Sequence, residues 1–336
     1  MRTFFIDFSK YLLFILFLSC NSALENKTAI VNSGETQGTS YNIKYISPHG
    51  IDYKDQIDSL LQEVDNSLST YKNQSLISRI NYNQQKKTDS LFRTVFRSAK
   101  KIFNQTDGLF DCSVAPLVNA WGFGFSQKEQ MDSTRVKEIL EIVGFDKVYL
   151  QNDVILKPRK MLLDFNSIAQ GFTVDLISKM LEQKKIKNYL VEVGGEIKSR
   201  GKNIQNKVWT VGVDKPIEQI NYDDRFQFVI ELDNKSLATS GNYRKYIIED
   251  GIKYSHVINP KTGFPAKNNL LSVTVIHNEC MIADAYATAF MVMGLEKSKN
   301  FLKDNKDLDA YLVFSADGEA LNTYVTENFE KSIVKY

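Results

Sequence analysis

A few short segments carry residue types whose spacing could do chemistry. In Ala283-Asp284-Ala285-Tyr286-Ala287-Thr288-Ala289 a carboxylate and a hydroxyl stand four residues apart, so a helix puts both on one face. The alanines keep that face low, leaving room for a cation and its ligand. Two hard oxygen donors do not complete a protein cage, but Mg²⁺ commonly takes only one or two carboxylates and fills its shell with phosphate and water. A threonine turned back onto its own helix carbonyl, beside a capping aspartate, would use the same residues without a metal.

Leu162-Leu163-Asp164-Phe165-Asn166-Ser167-Ile168-Ala169-Gln170-Gly171 reads as a strand feeding a helix whose apolar face continues through Phe172, Leu176 and Met180. Backbone N–H groups at such a junction point out from the helix start, where phosphate is a natural occupant. Asp164 at the strand end is placed to hydrogen-bond a ribose or a ring. A capped helix with no ligand has the same appearance.

His256-Val257-Ile258-Asn259-Pro260-Lys261-Thr262-Gly263 joins a histidine to a turn set by Pro and Gly. His49, His256 and His277 are the only histidines, which argues against a site built from clustered imidazoles. Val193-Gly194-Gly195-Glu196 and Thr239-Ser240-Gly241-Asn242-Tyr243 read as glycine-containing turns, able to bring backbone close to a flat ligand or to form plain hairpins. Trp121-Gly122-Phe123-Gly124 offers rings for stacking, although burial in a core is the ordinary use of such aromatics.

The elements that must position these groups are legible in part. Ile57, Leu60, Leu61, Val64 and Leu68 follow helical spacing, as do Leu91, Val95, Ala99, Ile102 and Phe103. Tyr41 to Ile46, Met161 to Phe165, Tyr189 to Val193, Trp209 to Val213, Phe226 to Leu232, Tyr246 to Glu249 and Leu271 to Ile276 are short and rich in β-branched or aromatic residues, hence strands. No repeat or Pro-rich linker divides residues 34 to 336, and the whole chain has six prolines. The order is too irregular for a barrel or for repeated βαβ units. The expected class is α+β, mixed sheets with packed helices, and the length suggests two lobes.

Other signatures are missing. No G-x-G-x-x-G follows a strand, and there is no G-x-x-x-x-G-K-[ST] phosphate loop or G-x-S-x-G elbow. With 42 basic and 40 acidic residues and no long Lys/Arg block, a nucleic-acid partner is not expected. Past Cys20 only Cys112 and Cys280 remain, too few for a disulfide scaffold or a cysteine zinc site; one disulfide between them is open in an oxidising compartment, and buried free thiols are the favoured reading.

Residues 1 to 20 read as an export signal. Arg2 and Lys10 make the start weakly basic, and the apolar run Tyr11 to Leu18 falls far short of the ~20 residues that cross a bilayer. It ends at Ser19-Cys20, which resembles a lipobox with Phe17 where Leu is usual, so Cys20 is the expected lipidation site. An ordinary signal peptide with a chance cysteine is the alternative. The expected layout is a lipoprotein signal peptide over 1–20, a tether over 21–33 and one domain over 34–336. Such a chain would face the periplasm from the outer or inner membrane; Asn21, in place of Asp, favours the outer one under the usual sorting scheme.

Taken in order, the segments resemble the FAD:protein FMN transferase family, often called the ApbE family. The resemblance runs through Thr36-Gln37-Gly38-Thr39-Ser40-Tyr41; Val64-Asp65, Leu68-Ser69-Thr70-Tyr71 and Ile77-Ser78-Arg79-Ile80-Asn81; Gly108-Leu109-Phe110-Asp111, Pro116-Leu117-Val118-Asn119 and Trp121-Gly122-Phe123-Gly124. It continues through Leu163-Asp164, Ile168-Ala169-Gln170-Gly171, Gly194-Gly195-Glu196, Thr239-Ser240-Gly241, His256, Pro260-Lys261-Thr262-Gly263, Ala283-Asp284-Ala285 and Thr288-Ala289. It implies two lobes around a flavin-nucleotide cleft. It also implies Mg²⁺ held by Asp284, Thr288 and the backbone carbonyl of Ser167, and FAD as substrate near Gln37, Tyr71, Leu109, Phe110, Asp111, Asp164, Gln170 and Ile258, with Tyr71 stacking. His256 matches the family's candidate catalytic histidine.

Gln37 stands where Met is commoner, Asn166 and Ser167 replace a Gly-rich pair, and Gln170 replaces a frequent Lys, removing a charge near the phosphates. The implied reaction is FMN transfer to a Thr or Ser hydroxyl with release of AMP. The implied partner is an acceptor protein of a flavin-dependent electron-transport complex, reached from a membrane through the lipid anchor. The same site would serve a Mg²⁺-dependent FAD pyrophosphatase, and a flavin-binding lipoprotein without catalysis is a reading of a different class.

Overall fold

The computed structural model describes residues 27–124, 127–216, 225–242, 246–249, 252–255, 257–315 and 321–335. Its central feature is a sheet of eight strands: β1 (Thr28–Thr36), β2 (Thr39–Ser47), β3 (Tyr189–Val193), β4 (Glu196–Arg200), β5 (Ser236–Gly241), β6 (Leu270–His277), β7 (Asp309–Ser315) and β8 (Leu321–Val325). They lie side by side in chain order, every neighbouring pair antiparallel. The expected α+β class holds, with helices joined to antiparallel sheets.

Strand side chains alternate between faces, and here the alternation makes three layers. Tyr41, Ile43 and Tyr45 of β2 and Tyr189, Val191 and Val193 of β3 face two helices, α1 (Lys54–Leu68) and the long helix Asn166–Gln183. Ala238, Val273, Val275, Ala310 and Leu312 share a helix-facing core with Ser90–Gln105, called α2, with Asn166–Gln183, called α3, and with Cys280–Met293, called α4. The intervening residues Ile197, Leu237, Ile276, Tyr311 and Val313 point the other way. They pack on Val211, Val213, Phe228 and Ile230 of a smaller sheet formed by Thr210–Asp214, Phe226–Glu231 and Ile333–Lys335. Each aliphatic side chain so enclosed contributes about 1.5–3 kcal/mol.

Both helical stripes read from the sequence form α1 and α2. Asp89 starts α2, its carboxylate accepting the Phe92 amide at 2.8 Å. α4 is apolar nearly all round and accordingly central, with only Ile282, Thr288 and Met293 not buried. Among the described residues no helix is long and apolar enough to cross a membrane.

Three expectations need correction. The tether over 21–33 overlaps β1, which pairs with β2 from Thr28 opposite Ser47 to Thr36 opposite Thr39. As the outer strand it buries little beyond Asn32, so its polar sequence resembles a linker. Met161 to Phe165 forms no ladder. The carboxamide of Asn81 bonds both the carbonyl and the amide of Leu163, each at 2.8 Å, and the Asp164 amide donates to the Cys112 carbonyl at 2.8 Å. The supposed turn at Thr239-Ser240-Gly241 is the end of β5, paired with Ser272 to Thr274 of β6, and Tyr243 lies outside the described residues.

Candidate active site

Asp284 and Thr288 occupy one face of α4, one turn apart, as their spacing predicts. Asp284 is buried, and its Oδ2 accepts the amide of Gly171 on α3 at 3.0 Å. The Thr288 hydroxyl meets Ser240 Oγ of β5 at 3.2 Å. α3 and α4 run antiparallel: Asp175 accepts the Met281 amide at 2.9 Å while Gly171 faces Asp284. One further turn along that register puts Ser167 opposite Thr288.

Gly171 makes the close approach feasible. A Cβ there would lie 2.5 Å from the Cys280 carbonyl oxygen and 2.8 Å from Asp284 Cβ.

Burial pushes the Asp284 carboxyl above the usual range, against the opposing pull of the Gly171 amide. Glu196, at the start of β4, is buried as well, and its carboxyl is raised by burial and then by the charge of Asp284. Two neighbouring buried acids are unfavourable unless a cation is shared between them. The hard oxygen donors of Asp284 and Thr288, with carbonyls at the start of α3, therefore fit Mg²⁺. Among the described residues no group of three His, Cys, Asp or Glu side chains converges to hold a metal alone, so substrate and water would complete the shell.

The start of α3 is less open than its sequence suggests. Asp164 Oδ1 accepts the Asn166 amide at 2.7 Å, and the amides of Ile168 and Ala169 turn back to the Phe165 carbonyl. Two donors expected for phosphate are thus engaged within the protein, that of Asn166 by a short carboxylate that competes for the first free amide and that of Ile168 by the Phe165 carbonyl. Burial raises the Asp164 carboxyl. Ser167 is further tied to the Cys112 thiol through its side chain, and Cys112 and Cys280 are buried free cysteines, as expected.

Around the next turn of α3, Gln37 sits in the β1–β2 turn with φ 51° and donates its amide to Thr173 Oγ1 at 2.8 Å. Its carbonyl oxygen is buried with no partner among the described residues. Gln170 lies against the Gly194 turn between β3 and β4, where a Cβ at Gly194 would come within 2.6 Å of Gln170 Nε2.

A cleft of about 380 Å³ opens where Asp107, Gly108 and Asp111 meet Gly144, Asp146, Pro260 and Lys261. It joins the Gly108–Asp111 segment to the Pro260–Gly263 turn, which Trp121 secures by donating Nε1–H to the Gly263 carbonyl at 2.8 Å. Lys261 closes an ion pair with Asp107. Asp111 borders the cleft, yet both its oxygens serve the protein: Oδ1 accepts the Ser113 amide and hydroxyl, Oδ2 the Phe145 amide. Its carboxyl is raised because burial outweighs those bonds.

The side chains of Leu109, Phe110 and Ile258 are buried, and the amides of Leu109 and Phe110 donate to the carbonyl and hydroxyl of Thr106. Tyr71 is 71% exposed and accessible for stacking. His256 and Cys20 lie outside the described residues. In the sequence Glu196 and Ser240 stand only as parts of apparent turns, and no local pattern marks Asp175 or Thr173. An acid directly after Gly-Gly at the mouth of a buried hairpin was the available signal for Glu196.

The model of the ApbE family matches residues 37–312. A Vibrio cholerae FAD:protein FMN transferase is 36% identical over 316 residues, covering 90% of this chain and 92% of the relative, and one from Haemophilus influenzae is 35% identical over 324 residues, covering 91% and 92%. Among solved structures, the flavin transferase ApbE from Vibrio cholerae superposes with a TM-score of 0.81 at 34% identity, covering 91% of this chain and 99% of that one. The apo form of the Pseudomonas stutzeri flavinyl transferase ApbE gives 0.81 at 30% identity, covering 91% and 97%. A match of this extent, in sequence and in fold, shows that the chain belongs to the ApbE family.

Proposed function

We propose that this protein is an FAD:protein FMN transferase that moves FMN from FAD to a Thr or Ser hydroxyl of an acceptor protein and releases AMP. The observation that carries the reading is the shared face of Asp284 and Thr288 on α4, with Asp284 held against α3 by the Gly171 amide, in a chain of the ApbE family. The acceptor hydroxyl attacks the FMN-side phosphorus. A new O–P bond forms as the bridging P–O bond breaks, AMP leaves with the bridging oxygen, and the hydroxyl proton passes to His256 as general base, a role typically worth ~10²–10⁴-fold in rate.

Asp284, Thr288 and the Ser167 carbonyl would hold Mg²⁺, whose chemistry when bound is to neutralise charge on the bridging and leaving oxygens. Gly171 orients Asp284 for that task through its amide. Gln37 presents its unpartnered carbonyl oxygen as an acceptor for FAD, and the cleft at Asp111 and Lys261, within the size range of ligand pockets, is the place for one ring system. In the same reading Tyr71 stacks on FAD, with Asp164, Gln170 and the backbone of Leu109, Phe110 and Ile258 around it. Cys20 carries a lipid as the new N-terminus after removal of residues 1–19. The protein then faces the periplasm from the outer or inner membrane, within reach of exported or membrane subunits of flavin-dependent electron-transport complexes.

Incubation with FAD, Mg²⁺ and an acceptor peptide holding one Thr tests the reaction. Mass spectrometry should find the FMN adduct together with equimolar AMP. Equally rapid release of FMN and AMP without acceptor would replace the transferase by a pyrophosphatase.

A further inference from the structure

Glu196 is 6% exposed, and its Oε2 is buried with no hydrogen-bond partner among the described residues. A carboxylate in that state needs a nearby positive charge, since a buried unpaired ion costs several kcal/mol. Its direction is set by β4. Ile197 faces the small sheet, so Glu196 and Lys198, on either side of it, face the helices. Lys198 confirms this by pairing with Asp175 of α3 at 2.6 Å.

Glu196, two residues earlier on the strand, comes opposite Gly171 and Asp284, one turn before Asp175 on α3. The packing is close, for the Cys280 thiol at the head of α4 donates to the Ile197 carbonyl at 3.5 Å. Lys198 is committed to Asp175. The acids Glu196 and Asp284 thus share one enclosed space, in which the Gly171 amide donates to Asp284 Oδ2.

We propose that Glu196 is a positioning residue of the cation site, its buried carboxylate supplying a second negative charge beside Asp284; this rests on the metal-dependent reading of the site given above. Before a cation enters, the two acids repel each other. A bound cation would compensate both charges, with Asp284 and Thr288 as the residues that would hold it. The site then gains affinity at the expense of stability in the metal-free state.

The test compares wild type, Glu196→Gln, Glu196→Asp and Asp284→Ala in the full-length protein, with Mn²⁺ as spectroscopic stand-in for Mg²⁺ and saturating FAD. Free Mn²⁺ is followed by electron paramagnetic resonance, and metal-free melting by calorimetry. Glu196→Gln should bind Mn²⁺ about 10-fold more weakly, the scale of outer-shell partners of a metal, while Glu196→Asp recovers most of the affinity. Metal-free Glu196→Gln should melt about 2 °C higher than wild type, because a repulsion is removed. Mn²⁺ affinity within twofold of wild type in Glu196→Gln, alongside its loss in Asp284→Ala, would overturn the role of Glu196 and leave the metal site standing. Unchanged affinity in Asp284→Ala would bring down the metal site and this inference with it.

Discussion

The Gly171 amide reaches Asp284 Oδ2 at 3.0 Å across two helices, from a residue 113 positions earlier in the chain. The contact depends on residue 171 having no side chain, since a Cβ would press on the Cys280 carbonyl at 2.5 Å. Gly171→Ala should force α3 and α4 apart, costing about 1–3 kcal/mol, the usual range for overpacking. Melting and FAD titration in Mg²⁺ should both show the loss, and an unchanged protein by both measures would contradict the packing described.

Asp284→Ala should weaken Mg²⁺ and FAD together, because the ion bridges protein and pyrophosphate and neither is well held alone. Calorimetric titration of FAD with and without Mg²⁺ reads this directly. Unchanged FAD affinity in Mg²⁺ removes Asp284 from the metal's ligands.

His256→Ala should keep most FAD and Mg²⁺ binding and slow transfer in the chemical step. In wild type the rate should rise with pH as the imidazole loses its proton and becomes able to accept one. A normal single-turnover rate in the variant at saturating FAD would sink the assignment.

Asp52 ties three elements at one oxygen: Oδ1 accepts the Asn32 amide group of β1 at 2.9 Å, the Tyr45 hydroxyl of β2 at 3.1 Å and the Lys54 amide at the start of α1 at 2.9 Å. The Asn32 bond is the main reason its carboxyl is held below the usual carboxylate range. A carboxyl depressed on folding stabilises fully above its unfolded value of ~3.9, and that contribution is lost as pH falls through the folded-state value. Asp52→Ala should cost about 1 kcal/mol at neutral pH, as for a lost helix cap. The gap from wild type should narrow as pH falls below the ordinary carboxylate range. Chemical denaturation across pH checks both.

Cys20→Ser should abolish lipid attachment and leave the folded domain intact. Fractionation and intact mass provide the check: a variant that stays in the membrane pellet with wild-type processing would rule out a lipoprotein signal.

The sequence by itself determined what depends on spacing along one chain segment. The apolar period of α1 and α2, the shared face of Asp284 and Thr288, and the turn at Gly194-Gly195 need only local geometry, and the ordered motifs carried the family. Tertiary structure alone decided who meets whom. Met161 to Phe165 has strand composition, but its backbone partners are the Asn81 carboxamide and the Cys112 carbonyl, so no ladder forms. Thr239-Ser240-Gly241 has turn composition, yet it continues β5 because Ser272 to Thr274 of β6 supply the ladder bonds. Glu196 became part of the site only when the period of β4 turned it towards α3 and α4. Local propensity is worth tenths of a kcal/mol per residue, whereas pairing, burial and charge compensation between distant segments are worth several, so where they disagree the distant contacts prevail.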